Sequence, residues 1–447
     1  MNDEAVLVER PKVESTHFYH PEKELKLYIH TDENVFLTLE SEWTELARLS
    51  DQMICMSSEW ASTWWKYIGR NQNRSLFILT VYDNEKLIAI LPFYKGYTKV
   101  GSIIVQRRLQ LIGSGGSLNE QLGFTDDYGI SDFLDVIVDP DYKHSVAILF
   151  VNLLRSSDLS DYKITFHQIR DDSYVRTVLF PLIITLNRKV QAELSDACHF
   201  VRIDQNGDFQ DFINKSKTNA RRRFRQTLRA QGIENEYFIE EPASITDVVV
   251  MIDKLMHLHQ DRWNKIGYPG AFQDDRFREF FTEISFIAYH HDQLWLKQAV
   301  DKNGVCAVRM LLKFNGRYYD YMSGYDVDST SAKHRPGIGL LLDLVENSFA
   351  QHIETIELLR GDEEYKHDFT QLAMNNWKII IHVQKHWKTG WGFLDSIVQF
   401  CSTVFKYVTR EKMLMRVQYK KVGFIKMLPA YFKFRLALVQ HKINERK

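Results

Sequence analysis

The sequence predicts a mixed α/β (α+β) protein built from two successive α/β units and a basic helical tail. Three observations carry that reading. Short alternating runs rich in β-branched and aromatic residues recur along the chain, some joined by Asn-Gly turns. Between them lie longer stretches with apolar residues at three- and four-residue steps, the spacing of amphipathic helices. The composition also shifts twice, near residue 196 and near residue 388. These shifts divide the chain into an arm without structure (1–22), a first α/β unit (23–195), a second (196–387) and the tail (388–447).

The bulk numbers permit this plan. A chain of 447 residues, 45% of them hydrophobic, can bury two or three domain cores. The formal net charge of −1 excludes a global electrostatic attraction to nucleic acid or membrane, so any such signal has to be local. The four cysteines, Cys55, Cys198, Cys306 and Cys401, form no CxxC pair. No disulfide framework and no metal site is therefore expected. The N-terminal residues lack the apolar run of a secretory signal, and no stretch is long and apolar enough to span a bilayer. The expected compartment is a reducing cytoplasm.

In the first unit, LKLYIH reads as a strand, and VFLTLESEWTELARLS as a strand or turn entering an amphipathic helix. EWASTWWKYIG continues as a helix with its aromatic residues on one side. RSLFILTVYDNEKLIAILPFYKGY reads as a hairpin with a polar turn at Asp83-Asn84. A strand and a Gly/Ser-rich loop follow in QRRLQLIGSGGSLNE, then the strands FLDVIVDP and YKITFHQI on either side of the helix HSVAILFVNLLRSS.

The second unit opens with a basic helix, FQDFINKSKTNARRRFRQTLRAQG, closed by Gly232. A strand and two amphipathic helices precede three strand-like runs, QLWLKQAVD, GVCAVRMLLKF and RYYDYMSGYD, joined at Asn303-Gly304 and Asn315-Gly316. The loop VDSTSAKHRPGIG then enters the helix LLLDLVENSFAQH, followed by the strand and charged turn ETIELLRGDEEYK and a last strand, NWKIIIHV. Residues 376–447 hold 15 Lys or Arg against 3 acids, which makes the tail a basic amphipathic segment able to pack on the protein or to lie on an anionic membrane.

Two places suggest chemistry. Gly337 and Gly339 flank the entrance of the helix after the third strand, behind Pro336. Glycines there let backbone amides converge at a positive helix end, where a pyrophosphate would fit. On the basic helix, Lys217, Arg221 and Arg225 recur at four-residue steps and form a cationic ridge.

The second unit closely resembles the FemAB-related, CelD-like branch of the GNAT acyltransferase superfamily. The residues that carry the resemblance are Arg262-Trp263, Gly270-Ala271-Phe272, Ser323-Gly324-Tyr325-Asp326, Pro336-Gly337, Arg360-Gly361-Asp362-Glu363 and Tyr365-Lys366, with the basic helix over 217–229. It extends into the first unit through Trp64-Trp65, Leu91-Pro92-Phe93 and Phe133-Leu134-Asp135, so that it spans roughly 40–385. The family's Gln/Arg-x-x-Gly-x-Gly/Ala signature reads here His334-Arg335-Pro336-Gly337-Ile338-Gly339, with His in the first place.

The resemblance implies tandem GNAT-like domains, the second complete and the first degenerate. It implies acyl transfer from acetyl-CoA or another acyl-CoA, used as co-substrate and not as a tightly bound cofactor. The donor would contact Arg335, Gly337, Ile338, Gly339, Leu340 and Lys366. The acceptor, a sugar or cell-envelope and exopolysaccharide precursor, would meet Lys217, Arg221, Arg225, Tyr325, Asp326 and Arg360. Transfer needs a base and a proton donor. Glu363 or Asp362 suits the first role, Tyr365 the second, with His334 and Asp326 as further bases and a backbone amide near Met322 to Gly324 for the oxyanion. A Fem-type aminoacyl-tRNA donor keeps the same fold and uses the basic helix. A non-catalytic scaffold of polysaccharide synthesis, held at the inner face of the membrane by residues 388–447, is the third reading.

Overall fold

The computed structural model describes residues 14–20, 23–100, 102–115, 129–155, 159, 161–186, 189–268 and 270–382. Beyond 382 only isolated positions between 404 and 433 are described, so the expected tail lies outside the described residues. No helix among the described residues is long and apolar enough to cross a membrane. The chain divides into two compact units. The first holds the described residues up to Leu194 and residues 377–382; the second holds Ser195–Asn376 and the described positions between 404 and 433.

The first unit begins with β1 (Glu14–His20), antiparallel to β2 (Lys23–His30). Part of the segment expected to be an arm is thus a strand. Helices α1 (Asn34–Thr38), α2 (Glu40–Leu49) and α3 (Ser58–Trp64) follow. The stretch at Val35 and Phe36, read as a strand or turn, is helical because both side chains turn into the core with Trp43 of the next helix. Strands β3 (Arg74–Asp83), β4 (Lys86–Val100) and β5 (Ile103–Leu111) form an antiparallel meander, and β6 (Ile137–Val138) pairs with β4. Helix α4 (Lys143–Arg155) leads into β7 (Lys163–Arg170), parallel to β5, and α5 (Phe180–Ile183) leads out. The sheet runs β1-β2-β3-β4-β5-β7.

Aromatic residues fill this core. Trp43, Trp60, Trp64, Phe93 and Phe150 are fully buried, and the indole N–H of Trp43 and of Trp60 donates at 2.8 Å to the Met56 carbonyl and the Ser131 hydroxyl. Buried tryptophans need such partners. Asp135 accepts from the amides of Tyr174 and Val175 at 2.7 and 2.8 Å, and burial pushes its carboxyl up to about 6.

The second unit opens in β8 (Val190–Arg202), which the unit boundary cuts. The expected single basic helix is two: α6 (Phe209–Lys215) and α7 (Thr218–Gly232). Ser216 breaks them with an extended backbone, and its hydroxyl donates back to the Phe212 carbonyl at 2.9 Å. The break lets Phe212 stack on Phe224, which also packs on Phe369. Then come β9 (Phe238–Glu240), α8 (Ile245–Lys265), α9 (Asp275–His290), β10 (Leu294–Asp301), β11 (Gly304–Phe314) and β12 (Arg317–Tyr325). Asn315 and Gly316 both take positive φ, as a two-residue hairpin turn requires. Helix α10 (Pro336–Ala350), β13 (Thr355–Arg360), α11 (Lys366–Phe369) and β14 (Ala373–Ile381) complete the unit, although β14 passes out of it after Asn376. The sheet order is β8-β13-β12-β11-β10-β9.

Both units share one topology. Three antiparallel strands are followed by a helix and then by a strand parallel to the third: β3-β4-β5, α4, β7 in the first, and β10-β11-β12, α10, β13 in the second. In each, the parallel pairing lasts three residues.

In the second unit a charged pair ties β11 to β12. Arg309 and Asp320 lie 3.1 Å apart, each 5% exposed. Helix α8 packs so closely on β12 that a Cβ at Gly324 would stand 2.7 Å from the Leu255 carbonyl. From the same helix, the Nδ1–H of His259 donates to the Ser323 carbonyl at 3.2 Å, and burial holds this imidazole down at about 4.

Two expectations follow. Arg309→Leu should destabilise the protein by about 3–5 kcal/mol, because it strands a buried carboxylate, whereas Arg309→Leu with Asp320→Leu should recover most of that loss in urea unfolding. His259 is neutral in the fold down to about pH 4 but takes up a proton near 6.5 when unfolded. Its contribution is therefore complete above pH 6.5 and is lost between 6.5 and 4, on the order of 3 kcal/mol. His259→Gln should flatten the acid limb of a stability-against-pH curve over that window.

Candidate active site

The site is built around the place where β12 and β13 part. Their parallel pairing covers Arg317 with Thr355, Tyr318 with Ile356 and Tyr319 with Glu357, and then stops. Beyond Tyr319, β12 continues on β11 with Ser323 opposite Arg309, while β13 passes through a bulge and next pairs Arg360 with Cys198 of β8. Strand β12 carries a bulge of its own at Asp320-Tyr321, opposite Leu311. Two parallel strands that diverge leave a wedge open toward their carboxyl ends. On the β13 side, β12 has no strand partner past Tyr319 among the described residues.

The turn that leaves β13 is held by a buried ammonium. Lys366 is 2% exposed, and its Nζ donates to the carbonyls of Leu359, Arg360 and Gly361 at 3.2, 2.8 and 3.2 Å. It also pairs with Glu363 at 2.8 Å. Leu359 and Gly361 take positive φ to allow this. Lys366 is thus committed to the chain itself, which corrects its expected place among the donor contacts.

Tyr365 stands at the start of α11. Its hydroxyl lies 3.5 Å from Asp320, at the limit of a hydrogen bond, and the Arg309 guanidinium sits 5.6 Å from its ring centre. Burial, then the Asp320 charge, raises the phenol above its ordinary range. Burial likewise lifts the Asp320 carboxyl, against the pull of Arg309 and Lys366.

At the entrance of α10, Arg335 adopts a left-handed backbone. Its carbonyl already accepts from the amides of Ile338 and Gly339, at 2.9 and 3.1 Å. Pro336 has no N–H, so Gly337 offers the remaining early amide, and no atom lies within 4 Å of where its Cβ would be. Gly339 has another purpose: a Cβ there would stand 2.2 Å from the Tyr237 hydroxyl. Leu340 is fully buried in the core. Of the expected donor contacts at this turn, the geometry leaves Gly337 open, with Arg335 exposed and Ile338 partly exposed beside it.

Helix α7 packs against both α10 and α11. Arg223 pairs with Asp368, Arg229 with Glu234, and Arg225 donates to Asn214. Lys217, Arg221 and Arg222 have no acidic partner among the described residues. The other expected acceptor residues lie at the end of β12: Arg262 covers the Tyr325 ring at 4.4 Å, and Asp326 faces Lys265 at 3.6 Å. His334 lies 3.6 Å from Glu236. Arg360 ends β13 beside the clamped turn.

Asp362 is engaged by two histidines. One of its oxygens lies 3.0 Å from His199 Nε2 and 2.8 Å from His367 Nε2. These hydrogen bonds from the two imidazoles, His199 first, lower its carboxyl. Sequence spacing could not reveal this group, because His199 is far away in the chain. Arg309 and Asp320 did leave a signal, as lone charges within otherwise apolar or aromatic strands.

Comparisons with known proteins agree with the topology. Residues 214–367 match the family model described as acetyltransferase (GNAT) domain, about a third of the chain. No curated protein matches. Among solved structures, FemX is similar at TM-score 0.53 and 8% identity, over 78% of this chain and 97% of its own. At that identity the likeness is one of fold. A conserved protein of unknown function from Bacteroides thetaiotaomicron aligns at TM-score 0.48 and 9% identity, over 79% of this chain and 99% of its own. A tandem GNAT protein from the clavulanic acid biosynthesis pathway aligns at 0.40 and 10%, over 80% and 98%. Residues 214–367 are therefore similar in sequence to an acetyltransferase domain of the GNAT type, and the fold that carries them is similar to that of FemX.

Proposed function

We propose that the second unit moves an acyl group from an acyl-CoA thioester to an amine or hydroxyl of a sugar or cell-envelope precursor. The observation that carries this reading is the wedge between β12 and β13, which opens beside the Tyr365 turn. A pantetheine arm can pair along β12 there as a third strand would, with its diphosphate toward the Gly337 amide and the positive end of α10. The cations Lys217, Arg221 and Arg222 suit the remaining phosphate charge.

The acceptor attacks the thioester carbonyl carbon and the C–S bond breaks. The acceptor's proton goes to Glu363, and the departing thiolate receives one from Tyr365, whose burial keeps it protonated. The oxyanion is met by backbone of β12 past the bulge. Asp362 is engaged by two imidazoles, whose hydrogen bonds lower its carboxyl. The first unit is a degenerate counterpart: it repeats the strand and helix order, but the entrance of α4 has no glycine pair. An aminoacyl-tRNA donor is the second reading. It is favoured by one observation, that Ile338 and Gly339 have already spent their amides on Arg335.

Calorimetry with acetyl-CoA separates the two. Wild-type protein should bind it, and Gly337→Glu should weaken binding by about tenfold or more, since the site has room for the side chain but the charge opposes a diphosphate. If acetyl-CoA and longer acyl-CoA do not bind while aminoacylated tRNA does, the CoA reading fails. Tyr365→Phe should bind acetyl-CoA normally and lower turnover by about 10²–10⁴-fold in a thiol-release assay.

A further inference from the structure

We propose that His199, Asp362 and His367 form a binding site for a divalent transition-metal cation of the zinc, cobalt or nickel kind. Their ligand atoms, two imidazole nitrogens and one carboxylate oxygen, all lie within 4.8 Å of one another. The two imidazole–carboxylate distances are 3.0 and 2.8 Å. An ion bound at about 2.0–2.2 Å to each holds such donors a little over 3 Å apart, so the two imidazole–carboxylate contacts need to open by only a few tenths of an ångström while the two imidazole nitrogens, which lie within 4.8 Å of each other, draw together.

The scaffold is rigid on both sides. His199 lies on β8, one residue from the Cys198–Arg360 pair, and is 5% exposed. Asp362 leaves the turn that Lys366 clamps, and His367 is on α11, which the Arg223–Asp368 pair fastens to α7. The two imidazole rings meet edge to face, 4.7 Å apart, with both Nε2 atoms directed at the same carboxylate oxygen. His199 Nδ1 is buried and has no hydrogen-bond partner among the described residues. Nothing on that side fixes the tautomer, so Nε2 can turn its lone pair to an ion.

The donor set selects the metal class. Two imidazoles with one carboxylate suit zinc and the later first-row ions, and they disfavour calcium and magnesium, which take oxygen ligands. The side chains of Asp362 and His367 are 73% and 43% exposed, which gives the ion an entry path and leaves a coordination position for water or a ligand. In the metal-free state the carboxylate accepts from both Nε2–H groups; binding replaces those two hydrogen bonds by three metal bonds, each neutral imidazole shifting its proton from Nε2 to Nδ1 through solvent. This inference stands apart from the choice of acyl donor, because its readout is metal binding and not turnover.

The test uses the full chain, stripped with chelator and titrated with cobalt(II) and zinc(II). Calorimetry and the visible absorption of bound cobalt are the measurements. The expected result is one tightly bound equivalent, no comparable binding of magnesium, and a loss of about tenfold or more in affinity in each of His199→Ala, Asp362→Asn and His367→Gln. His199 is buried and its variant can fail to fold; the two exposed variants then decide the matter, with thermal melting to show that they are folded. Absence of a stoichiometric equivalent in the wild type, or unchanged affinity in Asp362→Asn and His367→Gln, overturns the site and assigns any residual binding to other surface histidines.

Discussion

The buried ammonium of Lys366 is the constraint from which the rest of the site follows. A lysine at 2% exposure has to find acceptors or give up its charge, and this one takes three consecutive carbonyls and a carboxylate. Those carbonyls belong to the end of β13 and the glycine after it. They can face one point only because Leu359 and Gly361 adopt left-handed backbone conformations, so the strand turns away from β12, which continues along β11 past its own bulge. A guanidinium could not replace the ammonium, being planar and wider than the space between three carbonyls on one turn. The bend creates the wedge, and the short helix that carries Lys366 sets Tyr365 against Arg309 and Asp320. The wedge and the place of Tyr365 are therefore both set by one packed charge.

The repeat of topology between the units shows what separates a fold from a site. Both place a helix between the third strand of a meander and a parallel fourth, and both let the parallel pair run for three residues. The first unit fills its interior with tryptophan and phenylalanine and uses a carboxylate, Asp135, to cap backbone amides. The second carries glycines at the helix entrance and an ion pair under the wedge. Strand pairing and hydrophobic burial are common to both. The features that could act on a thioester are confined to one of them.

The secondary structure was largely legible in the sequence because it depends on local periodicity and on turn residues. The Asn315-Gly316 hairpin and the end of α7 at Gly232 lie where the residues put them, while α10 begins at Pro336, four residues before the helix expected from Leu340. What was not legible depends on partners distant in the chain. Nothing near Ser216 shows that the basic helix must break so that Phe212 can reach Phe224. Lys366 reads as a ligand contact beside a charged turn, and only burial reveals it as a clamp. The convergence of His199 with Asp362 and His367 requires β8 to lie beside β13, a pairing that no spacing in the sequence encodes. Lone charges in apolar strands, Arg309 and Asp320, were the available clue that polar groups meet inside the sheet.

The two glycines of the α10 entrance illustrate how one motif divides into two physical roles. Gly339 is small because the Tyr237 ring occupies the space of its side chain; it serves packing, and its amide is already bonded. Gly337 is small with nothing against it, and its amide is the one left to a ligand. A single amide and a helix end supply modest attraction for a diphosphate, well below a full ring of converging N–H groups. The remaining affinity for a thioester donor then has to come from elsewhere: from strand-like pairing along β12 within the wedge and from the unpaired cations of α7. In the proposed reaction that division gives β12 the task of orienting the acyl group, with an ion pair locked beside it at the level where the pairing with β13 ends.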